Sequence, residues 1–101
     1  MLDLTLLKNF VTVARAGSIS TAATQVGRTQ SALSTQMQRL EEQVGQPLLQ
    51  RTGAGVRVTA AGEKLLAHAS TLLARHDEIL ADMNGATVQG TVSLGCPEDY
   101  S

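Results

Sequence analysis

Aromatic residues are nearly absent from this sequence: Phe10 and Tyr100 are the two in its 101 residues, and there is no tryptophan. Any core must therefore be built from Leu, Val and Ala, within the 43% of residues that are apolar. No apolar run approaches the ~20 residues a bilayer-spanning helix needs, which excludes a span of that kind. The opening Met1-Leu2-Asp3-Leu4 lacks the basic-then-apolar order of a secretory leader. A lone cysteine, Cys96, builds no disulfide framework and fits a reducing cytosol. Collagen-like, disulfide-rich and fully disordered chains are excluded by the same composition.

What charge is present is unevenly placed. Residues 1–58 carry six cations (Lys8, Arg15, Arg28, Arg39, Arg51, Arg57) against three anions, whereas residues 59–101 carry two cations against six anions. The basic front suits a polyanionic partner, although an excess of this size also describes an ordinary solvated surface.

Spacing predicts four helices. Leu4, Leu7, Phe10, Val11 and Ala14 form one apolar face, ended by Gly17. Ser20 through Val26 follows as a short helix with Ser20 as its expected N-cap, then a Gly27-Arg28 turn. Thr29 caps a third helix over about residues 30–44, in which Leu33, Met37, Leu40 and Val44 recur as a buried stripe. Its opposite side presents Ser31, Ser34, Thr35 and Gln38, which are short or uncharged and able both to donate and to accept hydrogen bonds. Gly45 and Pro47 stop it. Two short strands, Leu48–Arg51 and Val56–Val58, are expected around the turn Thr52-Gly53-Ala54-Gly55.

Thr59 then caps a long helix reaching Asn84-Gly85. Leu66, Ala69, Leu73, His76, Leu80 and Met83 alternate spacings of three and four, the seam of a coiled coil, and Leu65, Leu72 and Ile79 widen it. A second copy of the chain is the expected partner for that seam, with packing back on its own domain as the alternative. Beyond it, Gly90-Thr91-Val92-Ser93-Leu94-Gly95 alternates like a strand that has no partner left in the chain. The expected organisation is a first domain over 1–58, a linker and dimerisation helix over 59–85, and over 86–101 a hinge and first strand of a further domain. Such a chain is expected to be a fragment.

The order helix, helix, turn, helix, hairpin, long helix describes a mainly α fold, a winged helix-turn-helix with a dimerisation arm. Leu4-x-x-Leu7-x-x-Phe10, Gly17-Ser18-Ile19-Ser20, Ala22-Ala23 and Gln30-Ser31-Ala32-Leu33-Ser34 resemble the N-terminal domain of the LysR-type transcriptional regulators. So do Leu40-Glu41-Glu42, Gly45-Gln46-Pro47-Leu48, Arg51 and Val58-Thr59-x-Ala61-Gly62. The resemblance implies bacterial transcriptional control from the cytoplasm, at the nucleoid, by dimers or tetramers on pseudo-palindromic promoter sites. It further implies a small-molecule effector bound by a C-terminal domain of the periplasmic-binding-protein type, with RNA polymerase as a further partner. Two positions depart from it: Thr35 stands where many members have arginine, and Leu49 where phenylalanine is frequent.

A helix-turn-helix sets the start of its second helix against base edges in the major groove. Gln30, Ser31, Ser34 and Thr35 are the residues so placed: Gln30 suits adenine and the Thr35 methyl suits thymine. Ser20, Arg28, Thr29, Gln38, Arg39, Arg51 and Arg57 are expected at the phosphate backbone or in the wing, with Arg51 alternatively bracing the fold through a carboxylate. An enzyme is not expected. His68 and His76 lie two helical turns apart, ~12 Å, too far for one metal ion without a third element. Gly53-x-Gly55 lies in a hairpin turn and is no phosphate cradle. A coiled-coil interaction module that never meets DNA is the rival reading. It explains the seam but leaves the polar face of the third helix without a purpose.

Overall fold

The first helix begins where the Asp3 carboxylate accepts the Thr5 and Leu6 amides at 2.8 and 3.4 Å, which satisfies donors that no earlier helical turn can reach. The computed structural model describes residues 2–85. Its elements are α1 (Leu4–Ala16), α2 (Ile19–Val26), α3 (Gln30–Val44), β1 (Leu49–Thr52), β2 (Gly55–Val58) and α4 (Ala60–Met83). This is the winged helix-turn-helix expected from the sequence.

Two details differ from expectation. The N-cap of α2 is Ser18 and not Ser20: Ser18 Oγ accepts the Thr21 amide at 3.3 Å. Helix α2 starts earlier because Ile19 is buried in the core and has to lie on the helix. The first strand starts and ends one residue later than the sequence suggested, at Leu49 and Thr52, and the second starts one residue earlier, at Gly55. Leu48 is fully buried and its amide goes to the Glu41 carboxylate at 2.7 Å, so the antiparallel ladder opens at Leu49 opposite Val58 and closes with Thr52 opposite Gly55. The turn is then the two residues Gly53 and Ala54.

The core gathers Phe10 and Val13 from α1, Ile19, Ala22 and Ala23 from α2, and Leu33, Met37 and Leu40 from α3, closed by Leu48 and Val56. Phe10, the one aromatic within it, is fully buried. Asn9 is the single buried polar residue among those described, and its Nδ2 donates to Gln36 Oε1 at 2.7 Å. That bond satisfies the amide and fixes α3 against α1.

A two-stranded hairpin is marginal by itself, and here it is docked at both ends. The Val56 amide donates to the Gly17 carbonyl at 3.0 Å, and the Thr59 amide to the Leu48 carbonyl at 3.0 Å. Thr59 Oγ1 donates to the Pro47 carbonyl at 2.7 Å while accepting the Gly62 amide at 3.1 Å, which makes it the cap of α4. Ala61, Leu65 and Leu66 pack on the core. The first compact unit therefore runs past the expected boundary at residue 58 and through Ser70, and a second begins at Thr71. The expected strand at Gly90–Gly95, like Cys96, lies outside the described residues.

Candidate nucleic-acid interface

The buried stripe of α3 turns the rest of the helix outward. With Leu33, Met37 and Leu40 in the core, Gln30, Ser31, Thr35 and Gln38 are exposed and Ser34 is half-buried. These five side chains line one shallow open depression. The Thr35 hydroxyl donates to the Ser31 carbonyl at 3.0 Å, one turn back in its own helix. Its methyl and the lone pairs of its hydroxyl are thus the groups left for an outside partner. Thr29 Oγ1 accepts the Ala32 amide at 3.1 Å and so caps the helix at the end where Gln30 and Ser31 stand.

Arg28 and Arg39 are not among the residues that line this face. Arg28 is exposed in the turn between α2 and α3, and lines a separate groove with Lys8, Thr12 and Gln25. Arg39 is exposed further along α3. Ser20 is exposed in the first turn of α2, its Oγ 3.0 Å from Ser18 Oγ. Among the described residues the arginine and lysine side chains form one ion pair, Arg75 with Glu78 at 3.2 Å, and His76 Nδ1 lies 3.6 Å from Asp77 Oδ1. Arg28, Arg39, Arg51 and Arg57 therefore hold no carboxylate among those residues.

The hairpin separates the two arginines that bracket its turn. Arg51 pairs with Val56 and Gln50 with Arg57, and directly paired residues share a face of the sheet. Val56 is buried, so Arg51 lies on the inner face, whereas Arg57 shares the outer face with Gln50. Arg51 Nη2 donates to Ser34 Oγ at 3.4 Å. The bracing carboxylate considered for Arg51 is replaced by this hydroxyl of α3.

Sequence reasoning missed Glu41. Its Oε2 accepts the Leu48 and Leu49 amides at 2.7 and 3.1 Å, and so holds the start of the hairpin against α3. An acidic residue in the last turns of a helix, where the dipole disfavours it, was the available signal.

The seam of α4 is treated differently along its length. In the first unit Leu65 and Leu66 are half-buried against the core and Ala69 is fully buried. In the second unit Leu73 is half-buried and His76 is exposed, and so are Leu72 (41%), Ile79 (51%), Leu80 (49%) and Met83 (76%). The apolar residues available to a partner thus start near Leu72.

A model of the bacterial regulatory helix-turn-helix proteins of the lysR family matches residues 4–63. The chain belongs to the LysR family. Residues 4–63 are its helix-turn-helix DNA-binding domain. The chain is 54% identical over 100 residues to the HTH-type transcriptional regulator DgdR of Burkholderia cepacia, covering 99% of this chain and 34% of DgdR. It is 42% identical over 98 residues to the HTH-type transcriptional regulator PecT of Dickeya dadantii, covering 97% and 31%. The chain thus spans about a third of the length of the curated relatives it matches. Among solved structures it resembles the DNA-binding domain of CbnR in complex with DNA, with a TM-score of 0.80, 33% identity, and coverage of 84% of this chain and 98% of that one. The complex of the BenM DNA-binding domain with benA site 1 DNA aligns at a TM-score of 0.77 and 32% identity, over 82% of this chain and 96% of that one. The LysR assignment accounts for the order of elements from α1 to the start of α4. No helix among the described residues is long and apolar enough to cross a membrane.

Proposed function

We propose that this LysR-family chain reads a pseudo-palindromic promoter site as a dimer and thereby controls transcription in a bacterial cytoplasm. The observation that carries the proposal is the uncharged, hydrogen-bonding face of α3, flanked by arginines with no carboxylate among the described residues. A major groove admits one helix, and its base edges carry distinguishable donor and acceptor patterns. Gln30 makes a bidentate contact with adenine, Ser31 and Ser34 bond base edges or phosphates, and the Thr35 methyl packs on thymine. Arg28, Arg39 and Arg57, with the hydroxyls of Ser20 and Thr29 and the amide of Gln38, hold the phosphate backbone and fix the register. Leu72, Leu73, His76, Ile79, Leu80 and Met83 pair with their counterparts in a second copy, which sets two recognition helices on two half-sites.

The chain's work is binding, and no catalytic role is assigned to it. The regulators it resembles are about three times as long; a small-molecule effector and RNA polymerase are proposed as further partners of a chain of that length. The test is selection of bound duplexes from a randomised pool. Enrichment of an inverted repeat with half-sites about one helical turn or a multiple apart supports the proposal. A pool that stays random after repeated rounds overturns it.

A further inference from the structure

We propose that Arg51 serves α3 and not the wing tip: its guanidinium biases the Ser34 hydroxyl toward donating, so the base facing Ser34 is preferred when it presents acceptors, guanine foremost. This deepens the DNA-reading role proposed above and rests on it.

The hairpin register puts Arg51 on the inner face, opposite the buried Val56. From there the guanidinium reaches Ser34 Oγ at 3.4 Å across a pocket of about 120 Å³, walled by Ser34, Gln38, Glu41 and Arg51 over Met37 and Val56. Glu41 also faces this pocket, but its Oε2 is occupied by the Leu48 and Leu49 amides and it forms no ion pair with Arg51. The guanidinium has five N–H donors, and the bond to Ser34 uses one. Charge and donors remain at the edge of the depression that Gln30, Ser31, Ser34, Thr35 and Gln38 line.

Two effects then act on the Ser34 hydroxyl in the same direction. One of the two lone pairs is taken by the Arg51 N–H, which halves the hydroxyl's capacity to accept while its O–H proton stays available to donate. The neighbouring positive charge repels the amino hydrogens of cytosine N4 and adenine N6 and attracts acceptors. Guanine offers two acceptors in the major groove, N7 and O6, with no amino donor beside them; thymine offers one, O4, beside its methyl, and adenine places its N6 amino group next to N7. A hydroxyl donor with a guanidinium beside it therefore matches guanine best. Thr35, with its own hydroxyl turned into the helix, adds no charge there. Arg51 supplies from the hairpin the cation that α3 lacks at this point. It acts as a positioning residue for Ser34 and touches the base only through its spare donors.

The test is a panel of duplexes carrying each of the four bases at the position where Ser34→Ala changes the preference. It is read as Kd for the wild-type chain, Ser34→Ala, Arg51→Met, Arg51→Lys and the double variant Ser34→Ala/Arg51→Met. The expected result is a wild-type preference for guanine of roughly tenfold or more, flattened by Arg51→Met at the same position. The double variant should be no flatter than Ser34→Ala alone. Arg51→Lys, which keeps the charge but loses the planar fork, should hold affinity for scrambled DNA and lose part of the preference. Arg51→Met weakening all four duplexes equally, with the guanine preference intact, overturns the proposal and makes Arg51 a phosphate anchor. If circular dichroism shows Arg51→Met to be unfolded, Arg51→Lys decides, and full retention of the preference overturns the proposal. A wild-type chain with no preference at any position overturns the DNA-reading proposal itself. That outcome is distinct from a wild type that discriminates while the Arg51 variants discriminate equally well.

Discussion

Gln30 and Arg57 are expected to separate two kinds of DNA contact when each is replaced by alanine. Gln30 is exposed at the first turn of α3, the part of the helix proposed to meet base edges. Gln30→Ala should remove about 1–3 kcal/mol of discrimination at one base position while scrambled duplexes bind as before. Arg57 stands on the outer face of the hairpin, away from α3. Arg57→Ala should weaken every duplex alike and reduce the salt slope by about one. Competition titrations with matched and scrambled duplexes distinguish the two, and a sequence-specific loss in Arg57→Ala would contradict its placement. The outward face of α3 was legible in the sequence because the helical period alone decides which side Leu33, Met37 and Leu40 occupy. The separation of Arg51 from Arg57 was not. It depends on strand register, and a shift of one residue turns every side chain to the other face.

Gly62 gives the sharpest expectation for an element. Glycine within a helix is ordinarily worse than alanine by about 1 kcal/mol, so Gly62→Ala in α4 would stabilise an isolated helix. In the folded chain a Cβ at Gly62 would strike the Leu48 carbonyl oxygen and crowd Val58. Gly62→Ala should therefore lower stability, seen as a lower urea midpoint. An unchanged or raised midpoint would show that the hairpin and α4 are not packed this closely. Gly55 combines a φ of 144° with a Cβ position blocked by the Gly17 carbonyl oxygen, so Gly55→Ala should also destabilise, by about 1–3 kcal/mol. Glu41→Gln weakens the charged acceptor of two amides and should cost about 1–2 kcal/mol in the same assay. The existence and order of the elements were legible because caps and stops are local: Thr29, Gly17, Gly45 and Pro47 act within a few residues of themselves. The start of α2 and the register of the hairpin were not. Ile19 and Leu48 are placed by the core, and the Glu41 bond spans seven or eight residues.

At the scale of the whole molecule, the apolar seam of α4 is expected to make the dimer. Ile79 and Leu80 are about half exposed in the single chain, so a charge there should leave the winged domain folded. Leu80→Asp should yield monomers by sedimentation at micromolar concentration. It should also weaken binding to a two-half-site duplex by roughly 10²–10⁴-fold, the gain that joining two modules provides. A dimer that survives the change would place the interface elsewhere. The spacing in the sequence marks the apolar stripe proposed as the seam. It did not reveal that Leu65, Leu66 and Ala69 are buried within the first unit, since the same three-and-four spacing serves a partner helix and a home core equally well. The most direct test of DNA reading by α3 is fluorescence anisotropy on two labelled duplexes across a salt series. One carries the DNA upstream of the protein's own gene and the other its scrambled sequence. The expected result is tighter binding to the first, with affinity for both falling steeply as salt rises, by about 0.9 log units per tenfold of salt for each phosphate neutralised. Absence of binding to either duplex at low salt would contradict it, and would leave α4 as the seam of an interaction module that never meets DNA.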